Sequence, residues 1–155
     1  MNETVQRLVQ NLGLQPHPEG GYFREIFRSK HQVKSPFVAS DRATLTHIYF
    51  LLMKGQVSRF HRVAHEEVWN FYAGAPLRLV TLQKDSLVER ILDPSKLQFC
   101  SIVPPNVFQA AESTGAYSLV GCSVAPGFDF ADFEFMDPTF AEARKELLQP
   151  MVRFL

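Results

Sequence analysis

The residues best suited to chemistry are two histidines and a glutamate in one short stretch flanked by glycines. The three residues are His61, His65 and Glu67, and the flanking glycines are Gly55 and Gly74. Imidazole and carboxylate groups are ligands for divalent metals, and they are also the groups that most often transfer protons. Glycine allows the chain to turn sharply at the end of a strand. The stretch therefore predicts either a metal site or a proton-transfer site supported by strands.

Glu66 and Glu67 are adjacent, so in an extended strand their side chains point to opposite faces and one of them faces the interior. The spacing selects Glu67 as the interior carboxylate. Burial among apolar side chains raises the pKa of a carboxyl group and prepares it as a general base or acid. An ion pair with Arg59 or Arg24 is the alternative role for this carboxylate.

The segment before the first long strand combines a turn with an aromatic, basic strand. The glycine pair in residues 17–21 predicts a tight turn, and it lacks the spacing of a phosphate-binding loop. Tyr22, Arg24 and Arg28 alternate in the strand that follows, so they can share one face. An arginine on that face is suited to hold a carboxylate or phosphate, and exposure to solvent is the alternative.

Length and composition are those of one globular domain, which we expect to span residues 1–155. The chain has 16 basic and 16 acidic residues, 46% hydrophobic residues and no basic run, which argues against nucleic-acid binding.

The start of the chain lacks the pattern of a signal peptide, and no window is apolar enough to span a membrane. We therefore expect a cytosolic protein in which Cys100 and Cys122 are reduced, buried thiols.

Hydrophobic periodicity predicts a helix over residues 3–12, and a capping box at Thr139 and Glu142 predicts a second helix near the other end. Residues 30–42 are polar and predict a loop. Between the helices, breakers separate short strand-like runs, which predicts an all-β sandwich or barrel. The predicted strands cover residues 22–28, 44–52, 57–63, 68–72, 77–82, 88–92, 98–103 and 117–124.

The spacing of the stretch from Gly55 to Gly74 resembles the first signature of the cupin superfamily. That signature reads glycine, five residues, His-x-His, three or four residues, glutamate, six residues and glycine. Here Val63 stands in the place of the second histidine. Residues 102–111 are similar to the second signature, with Gln109 in its histidine place. Together with the opening His-Pro-Glu-Gly-Gly-Tyr-Phe and residues 120–128, the chain resembles one uncharacterised branch of the superfamily.

This resemblance implies a double-stranded β-helix, a jelly-roll-like barrel with a pocket, usually as a homodimer. It implies that His61, Glu67 and Gln109 line the pocket, with Trp69 and Phe71 nearby. Because two ligand places are occupied by Val63 and Gln109, we expect no tightly bound cofactor. A weak divalent metal requires His65, which we expect to be exposed in a turn, to act beside His61 and Glu67.

The sequence thus predicts a cupin that binds a small polar or anionic, sugar-like metabolite and acts on it as an isomerase or epimerase. His61 and Glu67 would transfer protons and Gln109 would orient the substrate. Further ligand contacts are expected from Trp69, Phe71, Arg59, Tyr22 and Arg28. The alternatives are a metal-dependent oxygenase or lyase and a non-catalytic ligand-binding or sensor module. A homodimer is expected, with no nucleic-acid or membrane partner.

Overall fold

The structure is a computed structural model that describes residues 3–155. Helix α1 (Glu3–Leu12) has the predicted bounds, and its apolar stripe packs Val5 and its neighbours against Leu51 and Leu119. The described residues form strands β1 (Gln15–Pro16), β2 (Tyr22–Arg28), β3 (Gln32–Lys34), β4 (Asp41–Ala43), β5 (Thr46–Met53), β6 (Val57–Val63), β7 (Glu66–Gly74), β8 (Leu77–Gln83), β9 (Ser86–Leu92), β10 (Cys100–Val103), β11 (Phe108–Ser113), β12 (Tyr117–Ala125) and β13 (Phe133–Phe135).

Two antiparallel sheets face each other. One has the strand order β1-β2-β5-β12-β7-β10 and the other has the order β13-β6-β11-β8-β9. The alternation of side chains along each strand turns one set of residues inward, as in β7, where Glu67 and Trp69 are buried while Glu66 is exposed. Phe50, Trp69 and Leu79 belong to the core between the sheets. The barrel therefore brings β6 and β7, from different sheets, to opposite sides of one interior.

The C-terminal segment forms α2 (Pro138–Glu142), α3 (Lys145–Leu148) and a 3-10 helix over Gln149–Phe154. Its apolar residues pack beside Phe60 on the outside of the five-stranded sheet. Among residues 3–155, no helix has the length and apolar character needed to cross a membrane.

Several details of the fold differ from the prediction. The second helix starts from an Asp137 cap, which accepts hydrogen bonds from the backbone N–H groups of Thr139 and Phe140, so Thr139 is not the cap. The polar stretch 30–42 contains the hairpin of β3 and β4, because exposed polar side chains do not prevent backbone pairing. Strand β11 was not predicted, since its two alanines weaken the strand pattern, yet it lies inside the five-stranded sheet.

The turn between β1 and β2 approaches β6 so closely that it requires glycine. Gly20 has a φ of +111°, and a Cβ atom there would lie 2.1 Å from the carbonyl oxygen of Val57. Gly55 also has a positive φ, of +82°, but nothing lies within 4 Å of a Cβ at that position. Alanine at Gly55 would therefore introduce backbone strain alone, whereas alanine at Gly20 would introduce backbone strain and a steric clash.

We expect Gly55→Ala to lower the free energy of unfolding by about 1 kcal/mol, the cost of a left-handed non-glycine residue. Gly20→Ala should cost about 3 kcal/mol or more, because the turn must also move away from β6. Urea unfolding of both variants measures the difference. Equal losses at the two positions would show that the turn is not held against β6.

Candidate functional site

A cavity of about 220 Å³ lies between the two sheets, and Glu19, His61 and Glu67 are among the titratable side chains that line it. Glu67 projects from β7 in the six-stranded sheet and His61 from β6 in the five-stranded sheet. Glu19 comes from the turn between β1 and β2, which the backbone hydrogen bond from Arg59 N–H to the Glu19 carbonyl oxygen ties to β6. Three separate parts of the sequence therefore meet in one buried site.

Glu19 and His61 form a close, buried pair. The Glu19 Oε2 atom lies 3.0 Å from His61 Nε2, and His61 Nδ1 lies 2.7 Å from the Arg59 carbonyl oxygen. A carbonyl oxygen only accepts, so Nδ1 carries the proton of the neutral ring and Nε2 carries none. Burial raises the pKa of Glu19 to about 8 and lowers that of His61, which agrees with a neutral acid beside a neutral imidazole.

His17 packs beside this pair. Its Nδ1 atom accepts from the backbone N–H of Glu19 at 3.2 Å, and burial chiefly lowers its pKa to about 4. Because the ring is neutral, its 3.7 Å approach to Glu19 Oε2 is not an ion pair. Ser58 Oγ donates to the other carboxyl oxygen of Glu19 at 2.9 Å. These contacts fix the orientation of Glu19 in the cavity.

Glu67 is held by a chain of hydrogen bonds that crosses between the sheets. The indole N–H of Trp69 only donates, so it fixes the Gln109 amide oxygen toward itself at 2.9 Å. The Gln109 amide nitrogen must then face Glu67, to which it donates. Burial raises the pKa of Glu67 to about 7, although these donors favour the charged form. The network places a carboxyl group that can gain or lose a proton near neutral pH.

Cys122 extends this network from β12. Its thiol hydrogen-bonds to Glu67, and burial raises the pKa of the thiol well above its usual value. Cys122 is a buried free thiol, as predicted, whereas Cys100 is free but exposed, contrary to the prediction. The neutral thiol acts here as a further donor to the Glu67 carboxylate.

The structure brings together only some of the predicted site residues. His61, Glu67 and Arg28 line the cavity. Gln109 is fully buried behind it and holds Glu67 instead of pointing toward a ligand. The predicted contacts that lie outside the cavity lining, in the core or on the outer surface, are Trp69, Phe71, Tyr22 and Arg59.

The alternative partners of Glu67 are engaged elsewhere. Arg59 donates to the Pro18 carbonyl oxygen and Arg24 to the Leu12 carbonyl oxygen. The ion-pair interpretation of Glu67 is therefore wrong for the described residues. The carboxyl group faces neutral donors and the Glu19–His61 pair.

His65 does not lie where a substitute ligand would have to lie. It is buried, with 1% of its surface exposed, and the prediction of an exposed turn residue is wrong. Its Nε2 atom lies 2.7 Å from Ser35 Oγ, and Nδ1 faces Asp132 at 3.9 Å. These contacts hold the loop at Ser35 against the barrel, away from the cavity lining.

Glu19 and His17 are the functional candidates that sequence reasoning missed. Both belong to the segment read only as a tight turn. A histidine and a glutamate two residues apart, next to a glycine pair that forces close packing, was the signal available in the sequence. Which strand the turn contacts is decided by the tertiary fold, through the approach of Gly20 to Val57.

The donor set does not fit a bound divalent metal. Val63 offers no donor atom, the Gln109 amide faces Trp69 and Glu67, and both ring nitrogens of His61 are engaged. Within the part of the chain that the structure describes, no three His, Cys, Asp or Glu side chains are arranged to hold a metal ion. The expectation of no tightly bound cofactor stays a prediction.

Comparison with known proteins identifies the family of this chain. The profile of the family described as Cupin superfamily (DUF985) matches residues 6–136. The chain belongs to this cupin family. The predicted fold class, an all-β cupin barrel with short terminal helices, is confirmed. No curated protein matches this cupin in sequence.

Solved structures agree with this assignment. An X-ray structure of a protein from Shewanella oneidensis is 31% identical, covers 100% of this cupin and 98% of its own chain, and has a TM-score of 0.85. A hypothetical protein from Leishmania major is 28% identical, with 93% and 96% coverage and a TM-score of 0.81. Oxalate decarboxylase from Lactobacillus farciminis, at 12% identity, 92% and 39% coverage and a TM-score of 0.60, shows the shared fold.

The raised carboxyl pKa values make stability depend on pH. Folded Glu19 and Glu67 keep protons up to about pH 8 and 7, whereas the unfolded groups lose them near 4.5. Unfolding above pH 6.5 therefore releases protons, and the free energy of unfolding falls as pH rises. His17 and His61 act in the opposite direction only below their unfolded pKa of 6.5.

We expect the free energy of unfolding to fall by about 1 kcal/mol per pH unit between pH 6.5 and 8. Glu19→Gln should flatten this slope, because the amide has the shape of the protonated acid and does not titrate. Urea unfolding at several pH values measures both proteins. A wild-type stability that is constant or rising over this window would contradict the raised pKa values.

Proposed function

We propose that this cupin catalyses a proton transfer on a small polar metabolite, as in an isomerisation or epimerisation. The observation that carries the proposal is the convergence of Glu19, His61 and Glu67 in one buried cavity. Burial moves the pKa of both carboxyl groups close to neutrality, to about 8 and about 7. General acid–base catalysis is most efficient when the pKa of the catalytic group lies near the working pH.

The two proton-transfer groups approach a substrate from different walls. Glu67 belongs to the six-stranded sheet, and His61 belongs to the facing sheet together with its partner Glu19. In the proposed mechanism, ionised Glu67 removes a proton from a C–H bond next to a carbonyl group. Protonated Glu19, 3.0 Å from His61 Nε2, delivers a proton from the other side. Gln109 and Trp69 act as positioning residues because they hold Glu67 and do not line the cavity.

The structure bears differently on the two alternative functions that the sequence predicted. The metal-dependent oxygenase or lyase needed His65 as a ligand, and His65 instead faces Ser35. The non-catalytic binding module would use the same cavity without proton transfer. Exchange of substrate hydrogen with solvent separates these functions, because only proton-transfer catalysis introduces solvent deuterium at a C–H position.

The test is incubation with a panel of hydroxy-carbonyl and amino-carbonyl compounds in D₂O, followed by NMR for loss of the C–H signal next to the carbonyl. For the compound that exchanges, Glu67→Gln should slow exchange by about 10²-fold or more, because the amide cannot act as a base. Glu66→Gln, at the exposed neighbouring position, is the matched control and should exchange at the wild-type rate.

Two results would contradict the proposal. One is wild-type exchange by Glu67→Gln in a folded protein. The other is the absence of exchange from every compound that binds in the cavity, which would favour the binding module. Thermal unfolding of each variant shows that its fold is retained.

A further inference from the structure

Acidic side chains outnumber basic ones in the lining of the cavity. Four carboxyl groups and one guanidinium group, Arg28, line it. The carboxyl groups belong to Glu19, Glu25, Glu67 and Asp129. The two lining histidines add no positive charge near neutral pH, because burial lowers the pKa of both.

The one lining cation is already paired. Arg28 donates to Glu25 through Nε at 2.9 Å and through a terminal nitrogen at 2.7 Å. These hydrogen bonds chiefly, and the charge of Asp129 to a smaller extent, raise the pKa of Arg28. The Glu25 carboxylate balances the charge of this guanidinium, so the pair adds no net positive charge to the lining. The sequence expectation that an arginine holds an anionic group is therefore not favoured by the geometry.

The buried carboxyl groups lack a positive partner within the described lining. Arg59, whose charge acts weakly on Glu19, donates to the Pro18 carbonyl oxygen and is outside the lining. Only neutral groups within the described lining therefore lie close to Glu19 and Glu67. A cation inside the cavity would favour the ionised forms of both carboxyl groups, whereas an anion would disfavour them further.

The remaining wall is aromatic, with four phenylalanines in the lining: Phe23, Phe128, Phe130 and Phe133. Three of these rings meet at steep angles, because Phe130 lies at 82° to Phe128 and at 63° to Phe133. These rings pack edge to face and form one aromatic wall of the cavity. The negative faces of aromatic rings attract ammonium and methylated ammonium groups.

We infer that the substrate is a small organic cation, an ammonium or methylated ammonium compound, whose positive group lies between the aromatic wall and the buried carboxyl groups. This inference names the substrate class for the proposed proton transfer and rests on that function. A metal ion would not use the apolar part of this wall, since metals require donor atoms on several sides. An organic cation uses both the rings and the carboxyl groups.

Binding of such a cation should also release protons. A positive charge beside Glu19 and Glu67 favours their ionised forms and lowers their raised pKa values. The groups that face these two carboxyls are His17, Ser58, Arg59 and His61 around Glu19, and His61, Gln109 and Cys122 around Glu67. Of these, the histidines are neutral and the thiol is protonated near neutral pH, so the released proton comes from a carboxyl group.

The test uses three probes of one shape and different charge: choline, 3,3-dimethylbutan-1-ol and 3,3-dimethylbutanoate. Titration calorimetry at pH 7.5, with EDTA present, should give choline an affinity at least about tenfold above the neutral alcohol, a difference of about 1.4 kcal/mol. The anion should bind most weakly. In buffers of different ionisation enthalpy, choline should release protons and the alcohol should release none.

Substitution of two matched phenylalanines tests whether choline binds in the cavity. Phe130 and Phe99 are similarly exposed, at 53% and 50%, but only Phe130 lines the cavity. Phe130→Leu should weaken choline several-fold, and Phe99→Leu should leave it unchanged. Equal affinities for the three probes, stronger binding of the anion, or no saturable binding of choline would each overturn the inference. These titrations involve no turnover, so their failure leaves the deuterium-exchange test of proton transfer unaffected.

Discussion

The buried contact between Glu19 and His61 is the interaction on which the site depends. It joins the turn before β2 to the interior of β6, across 42 positions of the chain. A buried carboxyl group and a buried imidazole are each costly to charge, and a pair in which both groups are neutral avoids that cost. The pair requires the turn to lie close against β6. Gly20 allows this approach, because a Cβ atom there would lie 2.1 Å from the Val57 carbonyl oxygen.

The second constraint is the placement of Glu67 from the opposite sheet. Register and alternation along β7 turn Glu67 and Trp69 inward together, so the residue that carries the carboxyl group and the residue that orients its donor share one face. Gln109 then connects the two sheets. The result is a cavity with titratable groups on facing walls and aromatic rings at the side, rather than the closed set of donors that a metal requires.

Sequence reasoning predicted the parts of this account that depend on local pattern. Strand periodicity gave the bounds of β2 and β6, helix periodicity gave α1, and motif spacing indicated that His61 and Glu67 face the interior. It failed where tertiary contacts decide. The segment predicted only as a tight turn becomes part of the site through its packing on β6. His65, predicted to be exposed, is buried and contacts a distant loop residue, Ser35.

Glu19 and Glu67 share a buried, neutral site whose protons are lost near neutral pH. NMR titration of the side-chain carboxyl carbons, in protein labelled with ¹³C-glutamate, measures the pKa of each group. Two signals, removed respectively by Glu19→Gln and Glu67→Gln, should titrate near pH 8 and pH 7. If both instead titrate close to the ordinary glutamate pKa of about 4.3, the site is ionised at neutral pH and the account is wrong.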